Sequence, residues 1–178
     1  MNIIYYREYI DTECSRLNNV VLDIKAIKVD GNNSLKMSLK CGNLNSCDYF
    51  RYKKDKFLLI EITDLNYQLQ NLNSELSGID TSTMGKKTSK KFKPMHIIQK
   101  ELKDKISNTQ LILNELQKVL NFSLNKLKIF IVALCTTSQS DIMIFDKIKR
   151  DLKRQLGVLV DDIWLVPVME LNRILNAK

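Results

Sequence analysis

Ser46-Cys-Asp-Tyr-Phe-Arg-Tyr-Lys-Lys-Asp-Lys-Phe-Leu-Leu-Ile-Glu-Ile-Thr-Asp64 contains two β-prone runs, Cys47–Tyr52 and Phe57–Ile62, on either side of the polar Lys53–Lys56. That pattern predicts a hairpin with a short turn. With the turn centred between Lys54 and Asp55, Tyr52 faces Phe57 and Asp48 faces Glu61. Two carboxylates then stand side by side on one sheet face, where like charges destabilise by a few tenths to roughly 1 kcal/mol, and by more when buried. A divalent cation relieves that repulsion. Mg²⁺ takes oxygen ligands, commonly one or two carboxylates with water and substrate phosphates, so Asp48 and Glu61 are candidate metal ligands. A turn shifted by one residue would undo the pairing and leave two solvated acids.

On the N-terminal side, Ile3, Tyr6, Ile10, Cys14, Leu17 and Val21 recur at three- and four-residue steps, predicting an amphipathic helix from about Ile3 to Asn19, with Glu8 and Glu13 as solvated acids beside its stripe. Val20–Val29 shifts toward β-branched residues, and Asp30-Gly-Asn-Asn33 signals a turn. Leu35, Met37 and Leu39 alternate with polar neighbours as in a half-exposed strand. On the C-terminal side, Leu65, Leu69, Leu72 and Leu76 predict a helix ending at Gly78. Residues 80–96, rich in Ser, Thr and Lys and broken by Gly85 and Pro94, read as a flexible basic loop. A long helix follows from Ile97 to about Leu120, then a buried strand within Lys126–Cys135. Ser140-Asp141 then cap a helix that ends at Gly157, an edge strand covers Ile163–Val168, and a short helix covers Met169–Leu175.

Helix-linked strands require parallel pairing and the hairpin is antiparallel. The fold class is therefore α/β (α+β), a mixed central β-sheet with an antiparallel meander flanked by helices. The 178 residues suit a single domain spanning the chain. Its four cysteines lack paired zinc spacing and His96 is the only histidine, so a structural zinc is not expected and the cysteines read as reduced, mostly buried thiols. No apolar run is long enough for a bilayer and no secretory leader is read at the N-terminus, which fits a cytoplasmic protein with no membrane partner. The net charge of +8 favours an anionic partner, most simply nucleic acid.

A helix, a meander carrying Asp on its second strand and Glu on its third, then a helix and a further strand, resembles the PD-(D/E)XK nuclease-like (restriction-endonuclease-like) superfamily. Asn45-Ser-Cys-Asp48 and Phe57-Leu-Leu-Ile-Glu61-Ile-Thr63 look like its motif, with Asp48 and Glu61 in the places of its two acids. The resemblance implies a restriction-endonuclease-like fold and a Mg²⁺-dependent phosphodiesterase of restriction or defence type. Its substrate would be DNA more than RNA, and it would work as a homodimer where both strands are cut. The family's lysine, two residues after the second acid, is replaced by Thr63, whose hydroxyl supplies no positive charge. Gln68, in the following helix, is a second candidate to approach the acids. Lys53, Lys54 and Lys56 lie at the turn, roughly 13 Å away at strand rise. Lys86, Lys87, Lys90, Lys91 and Lys93 in the basic loop are candidates to grip phosphates and fold over the site, with Phe92 offering a stacking surface. The alternative is a nuclease-fold subunit without chemistry that binds nucleic acid or a partner protein. Among other devices, Gly85-Lys-Lys-Thr88 lacks the upstream glycine and strand of a nucleotide loop, and His96 has no partner set for nucleophilic catalysis.

Overall fold

The computed structural model describes residues 3–12, 21–53, 55–79, 93–120, 126–135 and 139–176. A 3-10 turn, Ile3–Tyr6, leads into β1 (Arg7–Asp11), β2 (Val21–Lys28), the short α1 (Leu35–Ser38), β3 (Tyr49–Tyr52) and β4 (Lys56–Thr63). Two helices, α2 (Leu65–Leu76) and α3 (Pro94–Leu120), precede β5 (Leu127–Leu134). Then come α4 (Gln139–Leu156), β6 (Asp162–Pro167), a 3-10 turn (Val168–Glu170) and α5 (Leu171–Asn176).

The six strands form one mixed sheet in the order of the chain. β1 to β4 pair antiparallel and β4, β5 and β6 pair parallel, so the expected mixed sheet with its meander is present. Alternation along β4 and β5 sorts the core into two halves. Phe57, Leu59, Phe130, Val132 and Leu134 pack with α2, α3 and α4, while Leu58, Ile60, Ile129, Ile131 and Ala133 pack with the other face and α5. Burial on both faces is why β5 reads as an unbroken aliphatic run. Pro167, which cannot donate to a ladder, closes the edge strand β6.

Several expectations are corrected. Within the predicted helix Ile3–Asn19, residues 7–11 form an edge strand paired with β2, because Ile10 alone of that stretch is buried and the ladder, not a helix, satisfies its backbone. Residues 13–20 of that prediction, including Glu13 and Cys14, lie outside the described residues. Leu35–Leu39 is a helical turn rather than a strand: Leu35 is buried and Met37 is exposed, an arrangement alternation does not produce. Gly31 and Asn33, both at positive φ, redirect the chain ahead of it. The long helix begins at Pro94 rather than Ile97, since proline suits the first helical position, where no amide partner is required. Residues 80–92 of the expected loop lie outside the described residues. Cys41 and Cys47 carry free thiols, whereas Cys135 is disulfide-bonded, so the expectation of reduced cysteines fails there. Among the described residues no helix is long and apolar enough to cross a membrane.

Candidate functional site

β3 and β4 pair in the register read from the sequence, with Tyr49 opposite Ile60 and Tyr52 opposite Phe57. The turn is closed by Lys53 N–H donating to the Lys56 carbonyl at 2.9 Å. One step beyond the ladder, Asp48 stands across from Glu61. Its Oδ2 accepts the Ile62 N–H at 2.8 Å, and its carbonyl accepts the Val29 and Asp30 amides at 2.8 and 3.3 Å. The first acid is thereby tied to both neighbouring strands.

Glu61 follows Phe57 and Leu59 on the helix-facing side of β4, where the alternation calls for an apolar residue. It is only 2 % exposed. Its Oε1 accepts a charge-assisted hydrogen bond from Lys105 Nζ of α3, while its Oε2 is buried without a hydrogen-bond partner. Lys105 also lies 3.7 Å from Glu101, one turn earlier on the same helix. Burial, followed by the charge of Asp48, pushes the Glu61 carboxyl up to about 8 against the pull of Lys105. The neighbouring carboxylates, Glu61 foremost, hold the Lys105 ammonium charged despite its burial.

Helix α3 is fixed to the start of β3 by side chains one turn from Lys105. Thr109 Oγ1 accepts the Cys47 N–H at 2.8 Å and donates to the Lys105 carbonyl at 2.7 Å. Asn108 Nδ2 donates to the Asn45 carbonyl at 2.9 Å. Cys47, fully buried, has its thiol pushed well above the usual range by burial and by Glu61, which removes it as a nucleophile. Asp48, Tyr49 and Ile62 also border an open cleft of about 430 Å³ with Asp11, Thr12 and Lys28. There Tyr49 Oη donates to Glu8 at 3.4 Å and accepts the Asp11 N–H at 3.2 Å, and Glu8 pairs with Lys28 at 3.1 Å. Glu8 is thus paired while its side chain stays 42 % exposed to solvent.

Thr63 is buried on the same face of β4 as Glu61, and its carbonyl accepts the Cys135 N–H at 3.0 Å. Gln68 is half-buried on α2, and the partner that reaches Glu61 is Lys105 instead. Lys93 is exposed immediately ahead of α3, and Lys86, Lys87, Lys90 and Lys91 lie outside the described residues. Lys105 was passed over by the sequence reading, although its spacing carries a signal. Leu102, Lys105, Thr109, Ile112 and Leu116 follow one another at three- and four-residue steps, so the lysine falls on the buried stripe of α3 and needs a buried partner.

Among the described residues no three His, Cys, Asp or Glu side chains gather as a metal cluster. A Mg²⁺ held here would take two carboxylates at most, with water and phosphate completing its shell, which suits that ion. The unpartnered Oε2 of Glu61 beside Asp48 fits such a demand for positive charge. No protein-family model, no curated protein and no solved structure matches the chain.

Proposed function

We propose that the chain is a Mg²⁺-dependent phosphodiesterase of the PD-(D/E)XK-like type, acting on DNA more than RNA in a restriction or defence role. The observation that supports this reading is Lys105 of α3 seated on Glu61, a cation beside the acids that Thr63 does not supply. A bound Mg²⁺ supplies Lewis acidity and a lowered pKa for its water. Asp48 and Glu61 are the residues that would hold it. To act as a ligand Glu61 would have to be ionised, and a cation beside it would offset the burial that favours its neutral form. Lys105, held charged by its acidic neighbours, offsets negative charge developing on the phosphate. Asn108 and Thr109 position the segment that carries Asp48.

The burial of Glu61 favours a second reading, a nuclease-fold subunit that binds nucleic acid or a partner protein without chemistry. Titration of Mg²⁺ and Mn²⁺ by calorimetry, with cleavage of plasmid and of single-stranded DNA on the same samples, separates the two. Metal binding and cleavage lost in Asp48→Ala and Glu61→Ala support the enzyme. Absence of metal-linked heat and of nicking in the unaltered protein leaves the binder. The cytoplasmic placement is part of this proposal.

A further inference from the structure

At the turn end of the hairpin, β2 and β3 diverge: their pairing is confined to Ile27 with Phe50 and Lys28 with Tyr49. The gap beyond these pairs opens a groove of about 320 Å³ lined by Arg7, Lys25, Arg51, Lys53, Phe50 and Tyr52, and by no acidic side chain among the described residues. Arg7, Lys25 and Arg51 have no acidic partner among the described residues. The Nη1 of Arg51 is buried without a hydrogen-bond partner. Burial and then the charge of Arg7 pull the Arg51 guanidinium down, and burial, then Arg51 and Lys56, pull Lys53 down against the opposing charge of Asp55. Cations crowded into a concave site with an unsatisfied N–H are stabilised by an anion.

The aromatic surroundings narrow the choice of anion. The Tyr52 ring is 52 % exposed at the rim, with Phe57 at 5.1 Å between centroids and the Lys126 ammonium over it at 4.3 Å, so a base stacking there would displace that lysine, and the exposed Tyr9 lies under Lys25 at 4.6 Å. Rings interleaved with such cations accept unstacked bases and their phosphates together, and bases held inside a duplex cannot reach such rings. Arg51 lies three residues from Asp48 along the chain, roughly 10 Å at strand rise.

We propose that Arg7, Lys25, Arg51 and Lys53, with the ring of Tyr52, form a groove that binds the phosphates and one base of a single-stranded nucleic acid. This rests on the nucleic-acid reading above and names the form of its substrate.

The test is fluorescence anisotropy of a labelled single-stranded oligonucleotide and its duplex in EDTA, repeated across a salt series. Arg51→Gln is expected to weaken single-strand binding about tenfold and to reduce the salt slope by about 0.7, with Arg7→Gln/Lys25→Gln reducing it by about twice that. Arg51→Lys keeps the slope. Tyr52→Leu is expected to weaken the single strand about tenfold with an unchanged slope. Affinity and slope that ignore all of these substitutions, in variants whose thermal unfolding matches the unaltered chain, would overturn the groove. So would duplex binding as tight as single-strand binding. Cleavage intact with binding indifferent to the groove sinks this inference alone. Groove-dependent binding without any Mg²⁺-dependent cleavage sinks the enzyme reading alone.

Discussion

Replacing Glu61 by glutamine converts its buried carboxyl into a neutral group of the same shape, and the consequence can be worked from its surroundings. In the fold, burial and Asp48 hold the Glu61 proton until about pH 8, while an unfolded carboxyl loses it near the ordinary value of 4.5. Between those two values the folded state binds one more proton than the unfolded state, so stability falls as pH rises through that window and levels off above it. The span is worth on the order of a few kcal/mol, since the Lys105 ammonium offsets part of the cost of the ionised carboxyl, against the 5–15 kcal/mol typical of a domain. The glutamine amide has no such proton to lose. Lys105 in that variant keeps Glu101 as a nearby acid, so the substitution leaves no isolated buried cation. Urea unfolding of both proteins from about pH 5 to about pH 9 should therefore give curves that diverge. The unaltered chain should lose a few kcal/mol relative to Glu61→Gln, whose stability gains on it most at the alkaline end. A stability difference constant to within about 1 kcal/mol across that range would refute the claim that Glu61 is held protonated by burial.

The same proton predicts that Mg²⁺ binding releases close to one proton near neutrality and tightens as pH rises toward 8, which calorimetry in buffers of different ionisation enthalpy would detect. Lys105→Met should abolish cleavage and leave Glu61 buried without a cation. The expected cost is about 3–5 kcal/mol above pH 8 and much less at acidic pH, read by thermal unfolding at both ends. Thr109→Val keeps the side-chain shape but orphans the buried Cys47 amide, for a loss of about 1–3 kcal/mol in urea unfolding. Gly31→Ala, at φ +85, should cost about 1 kcal/mol and loosen the turn that meets the Asp48 carbonyl, seen as faster amide exchange at Val29 and Asp30.

The hairpin register was legible because two dense β-prone runs flank a polar turn, and alternation leaves one consistent pairing. From that register the facing acids followed directly. The β1 strand was hidden because Ile3, Tyr6 and Ile10 satisfy a helical spacing by coincidence. Their true setting is a 3-10 turn feeding a ladder whose partner lies in β2. Lys105 was hidden for another reason. A lysine is read as solvent-facing unless its partner is known, and Glu61 lies 44 residues away. Arg7, Lys25 and Arg51 likewise sit among ordinary strand residues, and only the divergence of β2 from β3 gathers them. Long-range convergence of isolated charges leaves no local pattern.

The strands lie in the sheet in the order in which they are made, and that order bears on how the site comes into being. Asp48 and Glu61 are joined by a short hairpin and can meet as soon as it closes, within microseconds for such local structure. Their counter-cation is encoded later, on a helix that must be made and then dock through Thr109 and Asn108. A nascent chain therefore holds two repelling carboxylates on a loosely supported hairpin until α3 arrives, and their neutralisation rewards that arrival.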